Sequence, residues 1–117
     1  MEPIEFIKIF TDDFTNENLR NKFRTGYCWH FAHLLKNTFQ RGEVCLTYPY
    51  GHFVWVDLDK VPYDIEGIYA GEAEEFIPEK YLNKHLENFI HRGISIETTK
   101  MDIDLIYKKY KKQLHSE

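Results

Sequence analysis

The string HFVWVDL, residues 52–58, constrains the fold more than any other part of the chain. Its β-branched and aromatic residues favour an extended strand. Val54, Val56 and Leu58 share one side-chain parity, and Phe53 and Trp55 share the other. Successive side chains of a strand point to opposite faces, so a strand that is apolar on both parities must be covered on both faces. Other elements have to supply that cover.

Upstream of Glu43, apolar residues recur at helical spacing. Ile4, Ile7 and Phe10 or Phe14 form one stripe behind Pro3, a residue suited to a first helical turn, although IEFIKIF also alternates as a strand would. Thr15 can cap a short helix over 16–23, with Leu19 and Phe23 four apart. Thr25 or Gly26 opens a third helix, whose inward stripe is Cys28, Phe31, Ala32, Leu35 and Phe39 and whose end is Arg41-Gly42. Downstream the pattern changes to EVCLTY, HFVWVDL and VPYDIEGIY, three strands joined at YPYG and DLDKVP. The acidic GEAEEF then reads as a charged loop ahead of a helix that starts at Pro78 and carries Tyr81, Leu82, His85, Leu86, Phe89 and Ile90 on one face. ISIE is a candidate short strand, and Thr99 caps a last helix reaching Leu114. The expectation is one α+β domain over residues 1–117, with helices packed on an antiparallel sheet of about three strands.

Composition narrows the function classes. A chain of 117 residues with 43% hydrophobic content builds a core without covalent staples. Its two cysteines are too few for a disulfide framework. A net charge of −4 argues against the basic footprint of a nucleic-acid binder. No apolar run approaches membrane-spanning length, and Glu2 and Glu5 near the start do not read as a secretory leader. A cytoplasmic protein without membrane or nucleic-acid partners is expected, and no cofactor is called for.

Against that background Cys28 stands out. A cysteine at a helix N-terminus faces unpaired backbone N–H groups and the positive end of the helix dipole, which favour the nucleophilic thiolate. The same amides can stabilise an oxyanion. Such a thiol needs a base, and His52 opens the central strand directly after Gly51, where a small residue admits close approach. The base needs an orienter. Asp57 lies at odd separation from His52 on the same strand and so faces the other way. If the chain turns around Leu58 to Lys60, Asp64 returns on the neighbouring strand, and a turn centred on Leu58 sets it directly opposite His52 on the same face.

Cysteine on a helix, histidine on a strand and aspartate on the next strand resembles the compact Cys–His–Asp order of the papain-like cysteine peptidase superfold, as in its transglutaminase-like and peptidoglycan-endopeptidase branches. GYCWHFA is similar to the Gly-x-Cys-Trp-x-Phe stretch around papain's nucleophile. The resemblance covers residues 26–69, taken as a papain-like minimal core. It implies Cys28 as nucleophile, His52 as general base and acid, and Asp64 as orienter, with Tyr27, Trp29 and Gly51 lining the site. Papain carries its histidine far downstream and a glutamine before the cysteine. Here the histidine follows closely, and RNKFRTGY has no glutamine, leaving Asn21 as the side-chain oxyanion candidate beside the Cys28 N–H. The function implied is a small hydrolase or acyltransferase working through a thioester on an amide or isopeptide bond in a protein or peptide. The alternative is a catalytically idle module of the same fold that binds or inhibits a partner, such as a phage-encoded antagonist of a host protein.

Other chemistry-bearing residues have plainer readings. Cys45, mid-strand in EVCLTY, is expected to be structural. His30 and His33 lack the paired cysteines of a zinc site, so no metal site is expected. His85 and His91 have no arranged acidic partners, and YKKYKK near the C-terminal end fits a solvated helix face.

Overall fold

A computed structural model describes residues 1–12, 17–24, 26–82 and 100–116. Three helices come first: α1 (Pro3–Asp12), α2 (Glu17–Arg24) and α3 (Cys28–Phe39). Five strands follow, β1 (Glu43–Tyr48), β2 (Phe53–Val56), β3 (Pro62–Asp64), β4 (Gly67–Ile68) and β5 (Glu75–Pro78), then a 3-10 turn over Glu79–Tyr81. Helix α4 (Lys100–Ser116) completes the described chain. The fold is α+β, with helices packed against one antiparallel sheet of order β4-β3-β2-β1-β5.

Among the described residues the sheet has five strands rather than about three, and two local causes account for the difference. VPYDIEGIY does not run through as one strand. The Asp64 side chain accepts the Glu66 N–H at 2.8 Å, and Gly67 takes φ 102°, so the chain folds back into β3 and β4. The acidic stretch expected to be a loop contains β5, in register with β1 from Tyr48↔Glu75 to Cys45↔Pro78. Pro78 therefore ends a strand, and it also stands at the start of the 3-10 turn that follows. The rest of the expected helix after Leu82, together with ISIE, His85 and His91, lies outside the described residues.

Strand β2 sits at the centre, between β1 and β3. The pairs Val44↔Trp55 and Leu46↔Phe53 share one face. With Tyr63, Ile77 and the α3 residues Phe31, Ala32 and Leu35 they form the main core. Helix α3 lies across β1, β2 and β3 and carries Cys28 at its first turn. Full burial of side chains such as Phe31 and Leu35 contributes about 1.5–3 kcal/mol each. The opposite parity holds Cys45 and Val54, also buried, so both faces are covered at the middle of the central strand, whereas Leu58, expected on the same face, lies beyond the end of β2 and is 72% exposed.

Helix α3 ends one step earlier than Arg41-Gly42. Gln40 takes the left-handed conformation (φ 55°) and its N–H donates to Lys36 O at 2.8 Å. Gly42 also has positive φ (79°), and it passes so close to Trp55 that a Cβ there would lie 2.6 Å from the indole nitrogen. Among the described residues, no helix is long and apolar enough to cross a membrane.

Candidate functional site

Cys28 is the first residue of α3, and Tyr27 precedes it without a side-chain cap. The first N–H groups of a helix have no i−4 partner, and since the His30 N–H donates to Tyr27 O at 3.1 Å, those of Cys28 and Trp29 are the donors this helix end offers. A further donor comes from the sheet. The Phe53 N–H points to Cys28 Sγ at 3.4 Å. Continuing the β2–β3 register places Ile65 opposite Phe53, and β3 has already ended at Asp64. The sulfur takes the place that the neighbouring strand vacates.

His52 immediately precedes β2, after Gly51 in positive φ (75°). Thr47 fixes its backbone twice: the Thr47 N–H donates to His52 O at 2.8 Å, and Thr47 Oγ1 accepts the His52 N–H at 3.0 Å. Nε2 of the imidazole meets Asp64 Oδ2 at 2.9 Å. The Cys28 thiol is also a hydrogen-bond partner of the ring, and with Nε2 committed to Asp64, Nδ1 is the nitrogen left for it. Burial alone would push the His52 pKa down. The Asp64 hydrogen bond, then the hydrogen bond and charge of Cys28, outweigh burial and raise it to about 9. At neutral pH His52 is therefore an imidazolium held between a carboxylate and a sulfur.

The register explains how Asp64 gets there, and it corrects the expected pairing. Trp55↔Tyr63 and Val56↔Pro62 centre the turn on Asp59 rather than Leu58. The residue level with His52 is then Glu66, and Asp64 is its diagonal neighbour. A two-residue slip preserves side-chain parity, so Asp64 stays on the His52 face and within reach of a long side chain. Its other oxygen, Oδ1, takes the Glu66 N–H, which fixes the carboxylate on its own turn. Asp57 is bound elsewhere. It forms a two-pronged pair with Arg41, Nε to Oδ1 at 2.7 Å and Nη2 to Oδ2 at 3.0 Å, which holds its carboxyl below the usual range.

The remaining sequence candidates divide. Gly51 and Tyr27 flank His52 and Cys28 in the chain and stay with them. Trp29 does not line the thiol. Its indole N–H donates to Glu79 Oε2 at 3.3 Å and its ring lies 3.8 Å from that of His33, which also meets Glu79 Oε2, at 2.7 Å. One step along a helix turns a side chain by about 100°, which sends Trp29 towards the end of β5. Burial would raise the Glu79 pKa, but His33, Lys36 and Trp29 together hold it below the usual carboxylate range. Asn21 accepts from Arg24 Nη1 at 3.1 Å, and Arg24 in turn pairs with Glu66. His30 lies against the rings of Tyr27 and Trp29, and burial lowers its pKa. Cys45 is buried, and burial pushes its thiol up to about 12. Among the described residues, no group of three His, Cys, Asp or Glu side chains is arranged to hold a metal ion.

Sequence reasoning missed Thr47, the Phe53 N–H and Tyr69. Thr47 left a signal as a small polar residue directly after the apolar run Val44 to Leu46 in β1. Tyr69 left none, because its contact with His52 depends on the β3–β4 turn.

Fold and geometry together define a small α+β protein in which a thiol, an imidazolium and a carboxylate meet where a helix end abuts the central strands. The chain belongs to the family described as Phage YunG-like protein, whose model it matches over residues 5–115. No curated protein and no solved structure matches it.

Proposed function

We propose that the protein is a cysteine-dependent hydrolase or acyltransferase of papain-like type, acting on an amide or isopeptide bond of a protein or peptide. The observation that carries this reading is the line Asp64–His52–Cys28, with a charged imidazolium beside a sulfur at a helix N-terminus. An imidazolium favours thiolate at the adjacent sulfur, and thiolate is the attacking form. Cys28 Sγ bonds to the carbonyl carbon, and the oxyanion receives the Cys28 N–H. His52 hands its proton to the leaving amine as the C–N bond breaks. The thioester is released when water or a second amine attacks, with His52 accepting the incoming proton. Asp64 keeps Nε2 occupied, so that Nδ1 faces the reacting atoms throughout. A bacterial or phage cytoplasm is the setting that fits the family description.

Alkylation of Cys28 by iodoacetamide across pH tests this directly. At neutral pH and below, the wild type reacts faster than His52→Ala by about tenfold or more. Equal rates in the two proteins across that range sink the proposal.

The second reading is a binding or inhibitor module that does not turn over, acting on a host protein. One observation favours it: Cys28 is only 5% exposed, so a carbonyl must displace neighbours to reach the sulfur. Under this reading Cys28→Ser binds its partner as the wild type does.

A further inference from the structure

Tyr69 follows β4, and its N–H donates to Pro62 O at 2.9 Å. Its ring stacks on the His52 imidazole, with centroids 5.7 Å apart and planes 30° from parallel. Phe76 of β5 meets the same ring edge-on at 6.2 Å. The Tyr69 hydroxyl shares a hydrogen bond with the Thr47 side chain, the same group that accepts the His52 N–H. Thr47 has no exposed surface and cannot swing away to water. Beyond the ring stands Gly71, where a Cβ would overlap Tyr69 Oη and Cζ. Backbone, stacking partner, hydroxyl partner and an adjacent glycine thus agree on one ring position.

We infer that Tyr69, pinned through Thr47 and given its space by Gly71, is a positioning residue that holds the His52 ring between Asp64 and Cys28 and covers that pair from water. The inference rests on the catalytic reading of Cys28 and His52. The physical need is plain. The terminal torsion of a histidine is broad, so two hydrogen bonds at its two nitrogens compete with free ring rotation unless a flat neighbour restricts it. Covering a charged hydrogen bond also lowers the local dielectric and strengthens it. Among the described residues, the titratable groups facing His52 are Asp64 of β3, Cys28 of α3 and Tyr69 itself.

The test is a histidine NMR titration of the full chain as wild type, Tyr69→Ala, Tyr69→Phe and Gly71→Ala. In Tyr69→Ala and Gly71→Ala the His52 midpoint falls by about one pKa unit or more. Tyr69→Phe keeps the stacked ring and stays nearer the wild type. Gly71 is exposed, so its alanine variant reads the displaced ring even if Tyr69→Ala fails to fold. An unchanged His52 midpoint in folded Gly71→Ala and Tyr69→Ala overturns the inference. The catalytic reading is judged separately. If Cys28 alkylation does not depend on His52, that reading fails, whereas a midpoint that still moves with Gly71 supports the role of Tyr69.

Discussion

Asp57 and Asp64 flank the same turn and are chemically identical, yet one binds Arg41 and the other His52. Parity separated them in the sequence, because only one shares a face with His52. What parity could not give was the partner of Asp57, since Arg41 lies beyond the end of α3 and reaches it only through the folded sheet. The two residues are therefore expected to fail differently. Asp57→Ala costs about 2 kcal/mol in urea denaturation, below the full cost of breaking a buried pair because Arg41 is partly exposed. It leaves Cys28 alkylation unchanged. Asp64→Asn lowers the alkylation rate at neutral pH by about tenfold or more, and equal effects of the two variants would contradict the assignment. Asp57 also shapes the acid limb of stability. Its folded pKa lies below the unfolded value, so its contribution is present above about pH 3.9 and is lost as pH falls through the folded value.

At the scale of elements, helix α3 and strands β1 and β2 were legible because each carries an apolar period that its neighbours satisfy, whereas α1 also alternated as a strand would, and as a helix it buries Ile7 but leaves Ile4 exposed. Strand β5 was not. It emerges from the acidic run GEAEEF, and what makes it a strand is pairing with β1 and an ion pair from Glu75 to Lys111 of α4, both distant in the chain. The β3–β4 fold-back was hidden in a run of strand-forming residues, because one side chain, Asp64, breaks it. The hairpin of β2 and β3 was legible in outline but displaced by two residues, and the candidate site survived because that displacement keeps parity. The junction of α3 with β1 leaves little room for change. Gly42→Ala adds a Cβ 2.6 Å from both the Trp55 indole nitrogen and Val56 O, at a backbone φ of 79°. It is expected to destabilise the fold by about 2 kcal/mol or more, read as a lower urea midpoint, and to disturb the Trp55 hydrogen bond to Arg41 O. A wild-type midpoint in this variant would refute the close approach.

For the whole molecule, the charged pair at the site couples folding to pH. His52 titrates at about 9 in the folded chain and near 6.5 when unfolded. A raised pKa contributes stability that is complete below the unfolded value and disappears as pH rises through the folded one. The wild type should thus lose stability between about pH 7 and pH 9, and His52→Gln should flatten that slope; a slope unchanged by the substitution would show that other groups produce it. The burial of Cys45 has a practical consequence for all such measurements. Cys28 and Cys45 are nearly equal in exposure, 5% and 3%, but only one has an imidazolium and a helix end beside it. Every molecule therefore carries its own reference thiol. Peptide mapping after one labelling reaction compares the two sulfurs under identical folding, dose and time, so their ratio separates what burial does to a cysteine from what its neighbours do.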